Sequence, residues 1–463
     1  MYDLCILGGG PGGYNAAIRA GKAGLKTVLI EQSSLGGVCV NEGCIPSKTL
    51  LHTGKMKWHT QEGKAFAFSA SDPAIDQGKL IKRKNKIVKR LSAGIKMQVT
   101  GANVEILTAK GEILGKDEAG NLRIQAGDQE ITAKNLMIAT GSSAMIIPFT
   151  GIDAALESGF ALTNREILDL TEVPETLLII GGGVIGLEMA SYYAMAGSKV
   201  IVIEMLDHIA GYTDREIGQI LQKDLEKLGI TFYLQAKVTE LASDPDGNHG
   251  KVIFEKDGEV QEVEGNKVLL SIGRRPNTQG FGLETLDLAM NRSAIQVDDH
   301  QLTSCPNVYA IGDAVGGIML AHVAYREGEV AVHHMLGKED SMDTRFVPSV
   351  IYTDPEVGSA GVTEDELKAK DEPYQVFKAP MTFSGRYQAE TERGDGICKI
   401  IVQNKKMIGC HVISPFASEF IVAAVAMMQT GLDIQELTKI IFPHPTVGEI
   451  LRELLFEAAE ELK

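Results

Sequence analysis

Two cysteines five positions apart, Cys39 and Cys44, are the residues in this 463-residue chain best placed to do covalent chemistry. A thiolate at such a position can ligate a metal or exchange a disulfide. A zinc site in a cytosolic protein usually needs four Cys or His ligands at short spacings, whereas here no second pair follows and the nearest histidine is His52. A redox pair is the stronger reading, with one geometric condition. Residues five apart in a regular helix are roughly 8–9 Å between Cα atoms, and a disulfide needs less than about 7 Å. The backbone between the two must therefore depart from a helix, which Gly43 permits. Cys5, Cys305, Cys398 and Cys410 lie in apolar or strand-like surroundings and are expected to be small buried hydrophobes. A second candidate is His444, followed five residues later by Glu449. An imidazole titrates near neutral pH and suits deprotonation of a thiol. The competing reading of Glu449 is a capping box, Thr446-x-x-Glu449, opening an amphipathic helix from Ile450 to Leu462.

Residues of this kind need a scaffold, and the chain supplies one twice. Leu4 to Leu7 is a short apolar run without polar alternation, as in a strand buried on both faces. Gly8, Gly10 and Gly13 then form G-x-G-x-x-G, a helical stretch runs from Tyr14 to Ala23, and a second strand, Lys26 to Ile30, ends at Glu31. Such a unit turns tightly, lets a pyrophosphate approach the backbone at a helix N-terminus and offers an acid to ribose hydroxyls. The same ruler returns in Leu177 to Ile180, Gly181, Gly183 and Gly186, and Lys199 to Ile203 ending at Glu204. Gly8 to Glu31 and Gly181 to Glu204 both span 23 residues. Two dinucleotide sites are expected. A carboxylate at Glu204 pairs with free ribose hydroxyls and repels a 2′-phosphate, and the first arginine after it is Arg215, so the second site should prefer NAD(H) to NADP(H).

Length implies several modules. Fifty glycines with 6% aromatic residues fit an α/β protein rich in tight turns. A formal net charge of −16 argues against nucleic acid and anionic membrane surfaces as partners. No apolar run reaches the length of a bilayer span; the nearest, Phe420 to Met428, reads as a buried helix. Leu4 to Leu7 leads straight into Gly8, so no cleavable leader and a cytoplasmic location are expected. The basic stretch Lys79 to Lys96, with Lys82, Arg83, Lys84, Lys86, Lys89 and Arg90, is expected to be a solvated helix face, with docking of an anionic partner the other possibility.

The run Gly36-Gly37-Val38-Cys39-Val40-Asn41-Glu42-Gly43-Cys44-Ile45-Pro46-Ser47-Lys48 resembles the G-G-T-C-x-N-x-G-C-I-P-S-K signature of the pyridine nucleotide-disulfide oxidoreductases. The likeness extends along essentially the whole chain, through Ala139-Thr140-Gly141-Ser142, Ile272-Gly273-Arg274-Arg275-Pro276-Asn277, Ala310-Ile311-Gly312-Asp313-Ala314, Met319-Leu320-Ala321-His322 and His444-Pro445-Thr446-Val447-Gly448-Glu449. It implies an α/β fold of two Rossmann-like dinucleotide-binding domains plus a C-terminal α+β dimerisation domain. The segments would be an FAD domain at 1–148, an NAD domain at 149–270, a central domain completing the FAD site at 271–345 and an interface domain at 346–463.

By the same resemblance, FAD would be held by Gly8, Gly10, Gly13, Glu31, Gly37, Val38, Lys48, Gly111, Thr140, Gly141, Ser142, Asp313, Met319, Leu320, Ala321 and His322. NAD would be held by Gly181, Gly183, Val184, Ile185, Gly186, Glu188, Glu204, Val238 and Gly273. Lys48 and Glu188 are similar to the family's ion pair beside the flavin, although each alone reads as an ordinary helix residue. Cys39 would be the interchange thiol, Cys44 would lie against the flavin, and His444 with Glu449 would form the catalytic base. No metal is implied. The branch implied is the one that passes two electrons from a protein-borne dihydrolipoyl group to NAD⁺. Glu204 favours it, Val184 stands where the glutathione-reducing branch has a gating tyrosine, and no further cysteine pair follows before Lys463. The implied partners are a second copy of the chain, with His444 serving the other copy's cysteines, and a lipoyl-bearing protein of a 2-oxo acid dehydrogenase or glycine-cleavage system. Alternatives are an NADH-dependent reductase of another small disulfide or a quinone, and a structural subunit of a multienzyme complex. The chain departs from the family pattern at Val38 (usually Thr), Val323 (commonly Lys) and Phe442-Pro443 before His444.

Overall fold

The protein is described from a computed structural model covering residues 1–391 and 394–462. The chain folds into two compact units. The first comprises Met1–Ser47, Lys79–Met145 and Gly273–Asp343, and the second Lys48–Gly78, Ile146–Ile272 and Thr344–Lys463.

In the first unit the strand Tyr2–Leu7 lies between Thr27–Glu31 and Gln129–Ile138, parallel to both, with Leu7 in register with Ile30 on one side and Ile138 on the other. Glu105–Thr108 and Val308–Ala310 extend the parallel part. An antiparallel meander, Gly111–Lys116 and Leu122–Ala126, joins Gln129–Ile138 from the other side. Leu4, Cys5 and Ile6 are fully buried, as expected of an apolar run covered on both faces. Helix α1 (Pro11–Lys22) follows the first strand, and its packing depends on Gly13, where a Cβ would stand 1.9 Å from the Gly8 carbonyl oxygen. Helices α2 (Gly37–Glu42) and α3 (Cys44–Gln61) are separate elements, because Gly43 between them has φ −152° and ψ −107°. The break required for the cysteine pair is present at the residue expected to make it.

The second unit repeats the plan. Thr176–Ile180 lies between Lys199–Ile203 and Lys267–Leu270, all parallel, with Ile180 in register with Ile203 and Leu270. The helix Val184–Ala196 follows, and a Cβ on Gly186 would stand 2.2 Å from the Gly181 carbonyl oxygen. The same unit holds a five-stranded antiparallel sheet, in the order Ser349–Ile351, Glu356–Gly361, Lys406–Ser414, Ile397–Gln403 and Gln375–Pro380. Its core includes Ile421, Ala424 and Met428 of helix Ala417–Thr430 and Leu451, Leu454 and Ala458 of helix Ile450–Glu461.

Three sequence expectations need correction. The Phe420–Met428 stretch is buried on one face only, since Val422 is 61% exposed. Cys305 is half-buried rather than buried. Within helix α4 (Gln77–Gly101), Lys82, Arg83, Lys86, Lys89 and Arg90 are exposed as expected, but Lys84 is buried. Cys5, Cys398 and Cys410 are buried, and burial pushes the Cys5 thiol far up, which keeps it inert. No helix among the described residues is long and apolar enough to cross a membrane.

Candidate active site

A parallel sheet ends all its strands at one edge, and the loops leaving that edge converge on whatever binds there. In the first unit this edge gathers Gly8, Glu31, Thr140 and Asp313. Gly8 turns with φ +105°, a conformation that favours glycine, and its N–H donates to the Ile30 carbonyl at 2.9 Å. The Glu31 carboxylate accepts from the N–H of Gly9 at 2.7 Å and from that of Ser33 at 2.7 Å, so the acid braces the glycine loop. Gly10 is the N-cap of α1 and supplies no side chain. The first-turn amides therefore face outward with the positive end of the helix dipole, a ready anion site. Gly37 approaches closely, since a Cβ there would lie 2.7 Å from Gly10 Cα, which brings the start of α2 onto this loop.

A cavity of about 480 Å³ opens beside Glu31, lined in part by Ser33, Asn41, Asn85, Lys89 and Lys96. A brace of hydrogen bonds also holds the carboxyl edge. Thr140 Oγ1 donates to the Asn277 carbonyl at 2.6 Å, and Asn277 Nδ2 donates to the Thr140 carbonyl at 3.1 Å. The Ser142 hydroxyl donates to Asp313, while Arg274 Nε donates to Ser142 Oγ at 2.7 Å. Behind Asp313, buried Glu327 accepts from the Gly312 N–H at 2.5 Å. Burial pushes the Glu327 carboxyl up to about 7, opposed by that N–H and reinforced by Asp313.

Cys39 sits in α2 and Cys44 opens α3, both half-buried. Tyr14 and Tyr325 accompany them. Their hydroxyls are 2.7 Å apart and their rings meet edge to face. Burial and the mutual bond push the Tyr14 phenol up, with smaller contributions from the charges of Cys39 and Cys44. Nothing in the sequence marked this pair, since 311 positions separate the two tyrosines. Arg274 and Asn277 stood inside a recognised motif but had no assigned role, and Glu327 carried no signal at all.

Gly111 is buried, with a Cβ there meeting Leu7 and Ile30 side chains. Met319, Leu320 and Ala321 lie half-buried at and before the start of helix Ala321–Met335, and His322 is exposed. The Val323 departure has a structural reason: the residue is buried in that helix. Phe442 likewise packs at the edge of the C-terminal core. Nothing in the structure explains Val38.

The second unit reproduces the first site's geometry. Gly181 has φ +103° and its N–H donates to the Ile203 carbonyl at 2.9 Å. The Glu204 carboxylate accepts from Gly182 N–H at 2.6 Å and Leu206 N–H at 2.7 Å. Gly183 caps the helix without a side chain, and Val184 and Ile185 beside it are exposed apolar residues. Val238 is half-buried in strand Lys237–Ser243, whereas Gly273 belongs to the first unit, where its carbonyl accepts from Met145 N–H at 3.0 Å. Lys48 Nζ contacts both oxygens of buried Glu188, at 2.7 and 2.9 Å, and Glu188 also accepts from the Tyr352 N–H at 3.1 Å.

Also in the second unit, His444 Nδ1 lies 3.0 Å from Glu449 Oε1, while Glu449 Oε2 accepts from the Thr446 N–H at 2.7 Å. One carboxylate thus serves both readings, as a cap for the following helix and as a partner for the imidazole. The Thr446 N–H, with His444, holds Glu449 below the usual carboxylate range. The His444 side chain is 79% exposed.

Residues 2–328 match the family model described as pyridine nucleotide-disulphide oxidoreductase, and residues 347–455 match the dimerisation domain of that family. The mitochondrial dihydrolipoyl dehydrogenase of Homo sapiens is 38% identical over 460 residues, covering 97% of this chain and 89% of the relative. Dihydrolipoyl dehydrogenase 3 of Pseudomonas putida is 36% identical over 466 residues, covering 98% of this chain and 97% of the relative. Among solved structures, LpdA from Mycobacterium tuberculosis is similar with a TM-score of 0.89 at 27% identity, covering 98% of this chain and 99% of that one. The HOCl-induced flavoprotein disulfide reductase RclA from Escherichia coli reaches 0.85 at 28% identity, with the same coverage.

Proposed function

Because this chain belongs to the pyridine nucleotide-disulphide oxidoreductase family, we propose that it reoxidises a protein-borne dihydrolipoyl group, using FAD and NAD⁺. The net reaction converts the dithiol and NAD⁺ into the cyclic disulfide, NADH and a proton. The observation that carries the reading is the helix break at Gly43 between Cys39 and Cys44, made beside the first glycine loop. Curated relatives over 97–98% of the chain support the substrate.

The first site fits FAD on its own geometry. The outward amides of α1 suit the pyrophosphate, Glu31 and its neighbouring cavity suit the adenosine half, and the braced Asp313 carboxylate suits a hydroxylated chain. When bound, FAD would supply two-electron redox chemistry between the cysteine pair and NAD⁺. Lys48 keeps its positive charge paired with Glu188.

His444 accepts a proton from the substrate dithiol, and the resulting thiolate attacks Cys39 of the Cys39–Cys44 disulfide. Cys44 leaves as a thiolate. The second substrate thiol then attacks the substrate's own sulfur in the mixed disulfide, so that the cyclic product leaves and Cys39 departs as the thiol, carrying the second proton. Glu449 orients the imidazole and stabilises its protonated form. The exposure of His444 suits service to a second copy's cysteines, in keeping with the dimerisation domain. The NAD site would comprise the Gly181–Gly186 loop, with Glu204 on the ribose. We read the chain as four domains, 1–148, 149–270, 271–345 and 346–463, working as a cytoplasmic homodimer beside a lipoyl-bearing protein.

Turnover with dihydrolipoamide and NAD⁺, set against glutathione disulfide with NADPH and a quinone with NADH, tests the substrate. The first pair should dominate; dominance of either of the others would replace the reading.

A further inference from the structure

The segment after the second nucleotide acid holds a charge arrangement that the reaction does not use. Both Glu204 oxygens are engaged by backbone N–H groups, as described above. Three residues on, the Asp207 carboxylate receives two basic side chains. His208 Nδ1 lies 2.7 Å from its Oδ1, and the Arg215 guanidinium donates to its Oδ2. His208 Nε2 in turn lies 3.2 Å from the Gly211 carbonyl oxygen, which keeps the ring turned back on its own loop.

Arg215 is the first arginine after Glu204 and the first residue of helix Arg215–Lys227. Its base is fixed from below. Asp214, the N-cap, accepts from the Glu216 N–H at 3.1 Å and is buried against Lys399 Nζ at 2.9 Å, and the Arg215 N–H donates to Asp365 at 3.3 Å. A guanidinium on a fixed stem, the first to follow a ribose acid in the chain, is the kind of group that would accept a 2′-phosphate. Here it is spent on Asp207. The two basic partners hold the Asp207 carboxyl below the usual range, so it stays charged.

We propose that Asp207 is a positioning residue for nucleotide selectivity, holding Arg215 in an ion pair and adding a second negative charge near Glu204 so that the site refuses a 2′-phosphate. This rests on Glu204 being the ribose acid of the second site. Both partners are partly exposed, at 42% and 49%, so the pair contributes little to folding and the effect falls on recognition.

The test is calorimetric binding of NAD⁺ and NADP⁺ to the oxidised holoenzyme, for the parent, D207N, R215Q, D207N/R215Q and E204Q. D207N should tighten NADP⁺ binding roughly five- to tenfold, as loss of one exposed charge and release of another imply, and leave NAD⁺ within about twofold. Most of the gain should vanish in D207N/R215Q, because no guanidinium is released there. An unchanged NADP⁺ constant in D207N, or a gain that survives in full in the double variant, overturns the proposal. E204Q separates the premise: undiminished NAD⁺ affinity there removes the reading of Glu204 and the proposal with it. Weakened NAD⁺ binding in E204Q without an NADP⁺ gain in D207N overturns the proposal alone.

Discussion

At the residue scale the proposed chemistry rests on two sulfurs and one imidazole, each with a neighbour that would make it useful. Cys44 as a leaving thiolate needs a backbone break to reach Cys39, and Gly43 supplies it. Cys44→Ser should abolish dihydrolipoamide turnover while FAD stays bound, read from the flavin absorbance of the purified variant. His444→Gln should lower kcat roughly 10²- to 10⁴-fold, the usual range for a general base. Glu449→Gln should cost less, since an amide can still hold the ring but carries no charge to stabilise its protonated form; steady-state kcat of both variants checks this. The cysteines, the histidine and its acid were legible because their spacing is local. Tyr14 with Tyr325 was not legible as a contact, because 311 positions separate the partners and only folding brings them together. The Lys48–Glu188 pair was expected from motif resemblance alone.

At the element scale, the repeated strand–glycine turn–helix unit was readable in both halves. Its constraints are steric and short-range: a positive φ at Gly8 and Gly181, and no room for a Cβ at Gly13 and Gly186. What escaped sequence reading were the buried charges that hold elements together. Glu327 on helix Ala321–Met335 anchors the Gly312 turn beside Asp313, and no spacing rule announced it. Its folded carboxyl, at about 7 against an ordinary 4.5, holds its proton more tightly than the unfolded chain does. The fold is therefore favoured in acid, and that advantage is lost as pH rises through 7. Glu327→Gln should flatten the dependence of Tm on pH between about 5 and 8, and stabilise the protein at the alkaline end. A buried cation, Lys399, meets Asp214, Glu216 and Glu364 at 2.7–2.9 Å. Lys399→Met leaves Asp214 buried without its partner and should cost roughly 3–5 kcal/mol in denaturant unfolding.

At the scale of the whole molecule, the dimerisation domain and the exposed His444 make a quantitative statement about assembly. If each reaction centre takes Cys39 and Cys44 from one copy and His444 from the other, C44S and H444Q homodimers are each inactive, yet mixed dimers hold one intact centre of two. Random reassociation of equal amounts should then restore about a quarter of the parent activity, as two-fold symmetry dictates. Centres built within one copy would restore none. The α/β architecture with two nucleotide units was readable because periodicity and glycine spacing carry it, whereas pairing of copies depends on surfaces whose complement lies outside the chain. The redox role of Cys39 and Cys44 is tested most directly by anaerobic titration with NADH, followed by absorbance and by thiol counting on the denatured protein. The expected result is a long-wavelength band between a thiolate and the flavin, with two more thiols per chain than before reduction. An unchanged thiol count, with the flavin bleaching directly, would contradict it.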